Sequence, residues 1–250
     1  MKSKVAAKAM RAVPLLPNSL VLFGYNRLKK SISAKRIEEH YQNNTDKLKA
    51  FIEPDVFIEK QHTADWDSVM YGVNIFNKNS VPASYNICGV IGVFNALIAL
   101  GEHVDAVSMA RLIRIFEGKG VALGGLLGTT PRAIASFFKN RGYKVTKYTS
   151  TDASKIDAFG KEHDTFIVIV MNNKKTLEDY MHIVNISVDD EGMRRTFHVH
   201  NSSEGKAVSY DTLSRAITGI NKRGSAIQNK ALLILGIDKD PKLSNATPRG

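Results

Sequence analysis

The chain contains 250 residues, of which 43% are hydrophobic and 24% are charged, and its formal net charge is +11. These proportions are typical of a globular protein and exclude a collagen-like, low-complexity or wholly disordered chain. No apolar run reaches the roughly 18 residues of a standard transmembrane helix. The single cysteine, Cys88, excludes an internal disulfide framework and a zinc site made of several thiolates, and we predict neither a metal nor a cofactor.

The positive charge is concentrated at the amino terminus. Residues 1–50 carry a net charge of +8, whereas residues 51–250 carry only +3. This distribution indicates a basic arm on a nearly neutral domain, so no specific nucleic-acid partner is predicted. We therefore divide the chain into a basic extension over 1–50, one domain over 51–240 and a tail over 241–250.

The basic arm has several interpretations. Its apolar stretch, Ala12–Gly24, is interrupted by Pro14, Pro17 and Asn18, which predicts no stable helix there. A basic start before an apolar patch is also typical of an export signal, although no clear small-residue cleavage site follows. Four interpretations stay open: an export signal, a propeptide, an arm that binds a membrane surface or an acidic partner, and a segment that packs on the domain.

Helical patterns come first in the domain. From Cys88 to Leu100 apolar residues cover most of a helix surface, which predicts a buried central helix that begins at the cysteine and ends at Gly101. The segment 80–86 contains a proline and predicts a loop leading into this helix. In chain order, helices are predicted over Ser31–Glu53, Cys88–Leu100, Ala106–Glu117, Pro131–Asn140 and Ser209–Ile217.

Beyond Gly142 the pattern changes to short β-branched or alternating runs, which are typical of strands. These runs are Tyr143–Tyr148, Phe166–Met171, Met181–Val188, Arg195–Asn201 and Ala231–Ile237. An order of helices followed by strands predicts an α+β domain in which a helical half packs on an antiparallel sheet.

Cys88 is the first candidate for chemistry. A cysteine at the first position of a helix is favoured as a thiolate, because the helix dipole and the unpaired amide groups stabilise negative charge there. The thiolate is the form that attacks carbonyl groups. The alternative is a buried packing residue without chemistry.

A partner for the thiol is predicted in the hairpin formed by the strands Met181–Val188 and Arg195–Asn201. If Glu191 and Gly192 form a two-residue turn, Asn201 lies opposite His182, and a slip of two residues leaves them diagonal neighbours on the same face. An asparagine carbonyl can accept the imidazole N–H and fix the tautomer, so that the other ring nitrogen faces the thiol. The alternative is an ordinary polar pair across the strands.

Two short motifs carry a family resemblance. The segments 86–97 and 180–190 read NICGVIGVFNAL and YMHIVNISVDD, and they resemble the papain-like cysteine peptidases, most closely the peptidase C39-like branch. The resemblance covers about residues 80–237 and leaves residues 1–50 without a counterpart. It implies a papain-like α+β fold whose central cysteine-bearing helix packs on the sheet. It also implies that Cys88 is the nucleophile, His182 the general base and acid, and Asn201 the residue that orients the histidine.

The sequence departs from the family pattern at two places. The C39 branch has aspartate and proline where this chain has Asn201 and Ser202, although papain-type enzymes use asparagine there. The family's oxyanion-stabilising glutamine lies about six residues before the cysteine, where this chain has Pro82, and proline has no N–H to donate. The candidates for that donor, beside the backbone N–H of Cys88, are Asn79, Ser80 and Asn86.

Three other features of the sequence do not indicate a catalytic or metal-binding role. His198 and His200 are a poor metal site because only one distant thiol accompanies them. The glycine-rich segment 118–128 lacks the ending of a phosphate-binding loop and is predicted to be a flexible connection. Trp66 is predicted to pack or to contact substrate.

The functional prediction is a cysteine peptidase that cleaves peptide or amide bonds of a peptide or protein substrate through a Cys-His-Asn triad and a thioester intermediate. The alternative is an acyltransferase or a non-catalytic protein of the same fold, whose basic arm binds an acidic partner or a membrane surface.

Overall fold

A computed structural model of the chain describes residues 18–27, 32–125, 127–171, 181–192, 194–202, 205–220 and 231–239. Residues 1–17 of the basic arm and the tail 241–250 lie outside this description. The described part is an α+β structure in which helices pack on an antiparallel sheet, as predicted.

The helices and strands follow one another with the helices concentrated in the first half. The helices are α1 (Asn18–Arg27), α2 (Ala34–Lys49), α3 (Ala64–Ser68), α4 (Cys88–Ala99), α5 (Ala106–Lys119), α6 (Pro131–Asn140), α7 (Ala153–Gly160) and α8 (Leu213–Gly219). The strands are β1 (Met70–Val73), β2 (Ser80–Pro82), β3 (Lys144–Tyr148), β4 (Thr165–Met171), β5 (Met181–Glu191), β6 (Arg194–His200), β7 (Val208–Tyr210) and β8 (Ala231–Asp238).

The main sheet has six strands in the order β3-β8-β4-β5-β6-β7, and every neighbouring pair is antiparallel. Both of its faces are covered. Along β4, Ile167 and Ile169 belong to the core beneath α4, α5 and α6, whereas Phe166 and Val168 belong to a second core with α7 and α8. This alternation explains why β4 reads as a continuous apolar run, because each face of the strand meets a helical layer.

The central helix α4 lies directly against β5 because two glycines remove side chains from the contact. A Cβ atom at Gly89 would lie 3.3 Å from Cδ1 of Ile183 on β5, and one at Gly92 would lie 3.4 Å from Cγ2 of the same residue. Residues 88–97 are all buried. The apolar sequence therefore forms a helix enclosed on every side, with its backbone close to the sheet that carries the predicted histidine.

The structure corrects the sequence predictions at several elements. A helix occupies the second half of the stretch predicted to be non-helical, because α1 begins at Asn18, directly after Pro17, and the breakers precede the helix. The segment 209–217 splits into β7 and α8, and Thr212 caps the helix by accepting from the N–H of Arg215. The segment 80–86 contains β2 and a short turn of 3-10 helix rather than a loop alone. The sequence analysis missed β1, α3 and α7.

Candidate active site

Cys88 is the first residue of α4, as predicted, and it is buried. The backbone N–H groups of Ile183, Gly89 and Cys88 itself lie near its sulfur, and each lowers the pKa of the thiol. Burial has the larger effect and raises the pKa of Cys88 to about 11. At neutral pH the residue is therefore a thiol, and the thiolate expected from the helix terminus is not the resting form.

His182 and Asn201 lie on the β5–β6 hairpin. The strand register of this hairpin differs by two residues from the register that would place them directly opposite each other. Glu191 pairs with Arg194 and Asn185 with His200, so Asn201 is a diagonal neighbour of His182. The β6 strand ends at His200, and Asn201 follows with a φ of 58° in the left-handed region. A two-residue slip preserves the face of each side chain.

His182 and Asn201 meet through the backbone of Asn201. The Nε2–H of His182 donates to the backbone carbonyl of Asn201 at 2.7 Å. The side chain of Asn201 instead donates through Nδ2 to Oε1 of Gln61 at 3.1 Å. The predicted acceptor was the side-chain carbonyl, and the difference arises because the left-handed turn at Asn201 directs the backbone carbonyl toward the ring. In the neutral ring the proton then lies on Nε2 and the lone pair on Nδ1.

The strand that carries His182 also contacts the thiol. Ile183, the next residue of β5, donates its N–H toward the sulfur of Cys88, and its side chain packs on the two glycines of α4. The structure thus brings Cys88, His182 and Asn201 to one end of β5.

Gln61 is a polar residue of this region that the sequence analysis missed. It is buried; its Oε1 accepts from Asn201, and its Nε2 donates to the backbone carbonyl of Ser84 at 3.1 Å. The Ser84 hydroxyl in turn donates to Asp67. These bonds join the end of β6 to the turn that precedes α4. The sequence signal was only a glutamine in a segment of mixed pattern, which does not distinguish it from a surface residue.

Two of the three oxyanion candidates use their side-chain donors elsewhere, and the third lies in an exposed loop. Asn86 uses its amide group on the backbone carbonyls of Tyr71 and Gly125. The Ser80 hydroxyl is bonded to His40 at 2.8 Å. Asn79 lies in the exposed loop between β1 and β2. These residues precede Cys88 closely in the chain, but the local fold directs the polar groups of Asn86 and Ser80 elsewhere.

The helix α1 contacts the segment that packs on the start of α4. Tyr25 is buried, and its hydroxyl donates to the backbone carbonyl of Leu127. It also lies 3.4 Å from the carbonyl of Thr129, whose side chain packs on Gly89. Burial and the neighbouring Cys88 both raise the pKa of Tyr25. Part of the basic arm is therefore connected to the start of α4 through Leu127 and Thr129.

The remaining candidates have packing roles in the structure. Trp66 is buried with its ring edge against Phe51. His200 is buried between Glu59 and Ser187, and His198 bonds to Ser209. Within the described ranges, no group of three or more His, Cys, Asp or Glu side chains is arranged to hold a metal ion. The helices of those same ranges include none with the length and apolar character needed to cross a membrane.

Comparison with known proteins gives one structural similarity. No family model and no curated protein matches the sequence. Among solved structures, the chain is similar to the peptidase domain of Streptococcus ComA, a bi-functional ABC transporter involved in a quorum-sensing pathway. The two share 14% sequence identity with a TM-score of 0.40, and the similarity covers 61% of this chain and 91% of that domain.

Proposed function

We propose that this protein is a papain-like cysteine peptidase in which Cys88 is the nucleophile and His182 the general base. The observation that carries the proposal is the placement of both residues at one end of β5. There His182 donates Nε2–H to the Asn201 carbonyl at 2.7 Å, and the adjacent Ile183 N–H meets the sulfur of Cys88. An imidazole whose Nε2 proton is held in this way carries its lone pair on Nδ1, which is the atom that takes the thiol proton in this proposal.

The reaction follows from these roles. His182 Nδ1 takes the proton of the thiol, and the sulfur of Cys88 attacks the carbonyl carbon of a peptide or amide bond. The backbone N–H groups at the start of α4, those of Cys88 and Gly89, are the donors that suit the developing oxyanion. The imidazolium gives its proton to the leaving amine, a thioester remains on Cys88, and water hydrolyses it. An amine in place of water would make the same site an acyltransferase.

The arm has the role of a propeptide-like cover in this proposal. Tyr25 bonds to the carbonyls of Leu127 and Thr129, the Thr129 side chain packs on Gly89 next to Cys88, and burial raises the pKa of the thiol to about 11. In this proposal, moving α1 away from Leu127 and Thr129 loosens that segment, lets solvent reach the thiol and removes much of the desolvation that raises its pKa. The enzyme is therefore latent while α1 is docked and becomes active when the arm is displaced or cut.

The test compares peptide cleavage by the full-length chain and by variants of α1 and of the site. We expect Tyr25→Ala to raise cleavage of a mixed peptide library, because it opens the cover. Phe23→Ala is the matched control, because Phe23 lies on the same helix and is 58% exposed, and it should change nothing. Cleavage that persists in Cys88→Ala or in His182→Ala, measured in the Tyr25→Ala background, would overturn the proposal.

A second candidate is a non-catalytic protein whose arm binds an anionic membrane surface. The observation that favours it is the exposed side of α1, where Leu20 and Phe23 are more than half exposed and the Arg27 guanidinium lies 4.7 Å from the Phe23 ring. Apolar and basic side chains together suit the interface of an anionic bilayer. Salt-sensitive binding to vesicles containing phosphatidylserine, lost in a Leu20→Ser and Phe23→Ser double variant, would support this candidate. Equal binding by the double variant would exclude this surface.

A further inference from the structure

We propose that Ser80, His40 and Glu117 form a second nucleophilic site, separate from Cys88, which takes an acyl group from small uncharged carboxylic esters. His40 comes from α2, Glu117 from α5 and Ser80 from the first position of β2. The His40 ring joins the other two: its Nδ1 lies 2.6 Å from Oε1 of Glu117, and its Nε2 lies 2.8 Å from Oγ of Ser80.

The carboxylate decides which nitrogen of His40 is the base. Oε1 of Glu117 accepts from Nδ1–H of His40 and also from the backbone N–H of Gly72 at 2.7 Å. Both Glu117 and His40 are buried, so this arrangement is held away from water. With the proton on Nδ1, Nε2 of His40 has the lone pair and accepts from the Ser80 hydroxyl. That is the arrangement in which a serine is activated as a nucleophile.

The serine is accessible from outside. Ser80 is partly exposed and lies in the wall of an open groove of about 280 Å³. The groove is lined by Asn74, Asn77, Asn79, Val81, Pro82 and Tyr85 in addition to the serine. No charged side chain is in this lining, and the three asparagines supply amide groups able to donate to a carbonyl oxygen. This chemistry suits a short, uncharged ester.

A second cluster of the same composition shows why access matters. Ser187 Oγ lies 2.8 Å from Nε2 of His200, and Nδ1 of His200 lies 2.6 Å from Oε1 of Glu59. These distances equal those at Ser80, but Ser187 is buried within the sheet, with 8% of its surface exposed. Ser187 therefore provides an internal control that has the hydrogen bonds without the groove.

The proposed step is an ordinary acyl transfer. The Ser80 Oγ–H bond breaks as Oγ bonds to the ester carbonyl carbon, and its proton passes to Nε2 of His40. The ester C–O bond then breaks, and the proton goes to the departing alcohol. Water attacks the acyl-serine in the same way and releases a carboxylic acid. Glu117 touches no reacting atom and is a positioning residue, because it holds the His40 ring.

The experiment uses a fluorophosphonate probe on the full-length Cys88→Ala protein, so that the thiol contributes nothing. The probe's phosphorus bonds to an activated serine oxygen and fluoride leaves. We expect peptide mass spectrometry to find the label on Ser80 and not on Ser187. Ser80→Ala should abolish labelling, Ser187→Ala should leave it unchanged, and His40→Asn should slow it at least about a hundredfold.

Hydrolysis of p-nitrophenyl acetate by the same proteins gives an independent readout, and circular dichroism shows whether each variant is folded. Ester turnover lost in Ser80→Ala supports the proposal even if His40→Asn fails to fold. No label on Ser80, or labelling of Ser80 and Ser187 at equal rates, would overturn it. Because the Cys88→Ala background is used throughout, either outcome leaves the peptidase proposal untouched.

Discussion

The Cys88 region and the Ser80 region each contain a histidine held by hydrogen bonds, but the bonds come from different groups. Around Cys88 and His182 the contacts come largely from backbone groups, and the thiol is buried. Around Ser80 the contacts come from the side chains of two buried residues, and the serine faces an open groove. The comparison indicates that hydrogen bonding to a histidine is common to both regions, whereas exposure differs. In the two proposals, the thiol reacts only after a conformational opening, whereas the serine reacts from the open groove.

The largest expected effect is a separation of two activities by single substitutions. In the Tyr25→Ala protein, Cys88→Ala should lower peptide cleavage by about a thousandfold or more, because no other group can form the thioester. It should leave labelling of Ser80 by the fluorophosphonate unchanged. Ser80→Ala should have the reverse effect in both assays. Loss of both activities in either variant would mean that the two regions are not independent.

Opening the cover should produce the next largest effect. A thiol with a pKa of about 11 has, at pH 8.5, a thiolate fraction more than about a hundredfold smaller than a free cysteine, so alkylation should be slow and should rise with pH. In Tyr25→Ala the rate at pH 8.5 should increase at least about tenfold, because solvent reaches the sulfur. The rate of iodoacetamide reaction, read by intact mass, checks this. An unchanged rate would show that α1 does not protect the thiol.

The close packing of α4 against Thr129 and against the sheet can be tested by adding a methyl group at each glycine. Gly89→Ala places a Cβ atom 2.7 Å from Cβ of Thr129 and should lower the free energy of unfolding by about 1–3 kcal/mol. Gly92→Ala meets Ile183 at 3.4 Å and should cost less, because that distance is near ordinary contact and alanine favours the helix. Urea denaturation of the two variants measures the difference. Equal stability would mean that the backbone contact near Cys88 is looser than described.

The smallest expected effect distinguishes the backbone of Asn201 from its side chain. Asn201 has a φ of 58°, which alanine adopts at a cost of about 1–2 kcal/mol and glycine adopts freely. Both substitutions remove the bond to Gln61. If the backbone carbonyl holds His182, Asn201→Gly should retain more peptidase activity than Asn201→Ala in the Tyr25→Ala background. Equal loss in the two variants would favour the side chain as the orienting group.

The sequence predicted features that depend on local pattern. The apolar surface of residues 88–100 located α4 and its first residue, and the alternation along β5 and β6 located the faces of His182 and Asn201. Alternation has a period of two, so it could not distinguish the observed register from one shifted by two residues. The acceptor for His182 is the backbone carbonyl of Asn201, and the Asn201 side chain bonds to Gln61, which lies 140 positions away and has no local sequence signal.

Contacts between distant positions were outside the reach of pattern analysis. His40 meets Ser80 across 40 positions and Glu117 across 77, and Tyr25 reaches Leu127 across 102. None of these residues has a neighbour in sequence that signals its partner. The prediction of a thiolate at the helix terminus also considered only local groups. Burial of Cys88 raises the pKa of its thiol by more than the nearby amide groups lower it.

The most direct test of Cys88 and His182 as a working pair is the rate of Cys88 alkylation between about pH 5 and 11 in the opened protein. We would measure Tyr25→Ala with and without His182→Ala, and confirm the modified residue by mass. We expect Tyr25→Ala to react rapidly below the pH at which a free cysteine ionises, and we expect His182→Ala to remove that reactivity. A single ionisation above that of free cysteine, identical in both proteins, would contradict the assignment of Cys88 as an activated nucleophile.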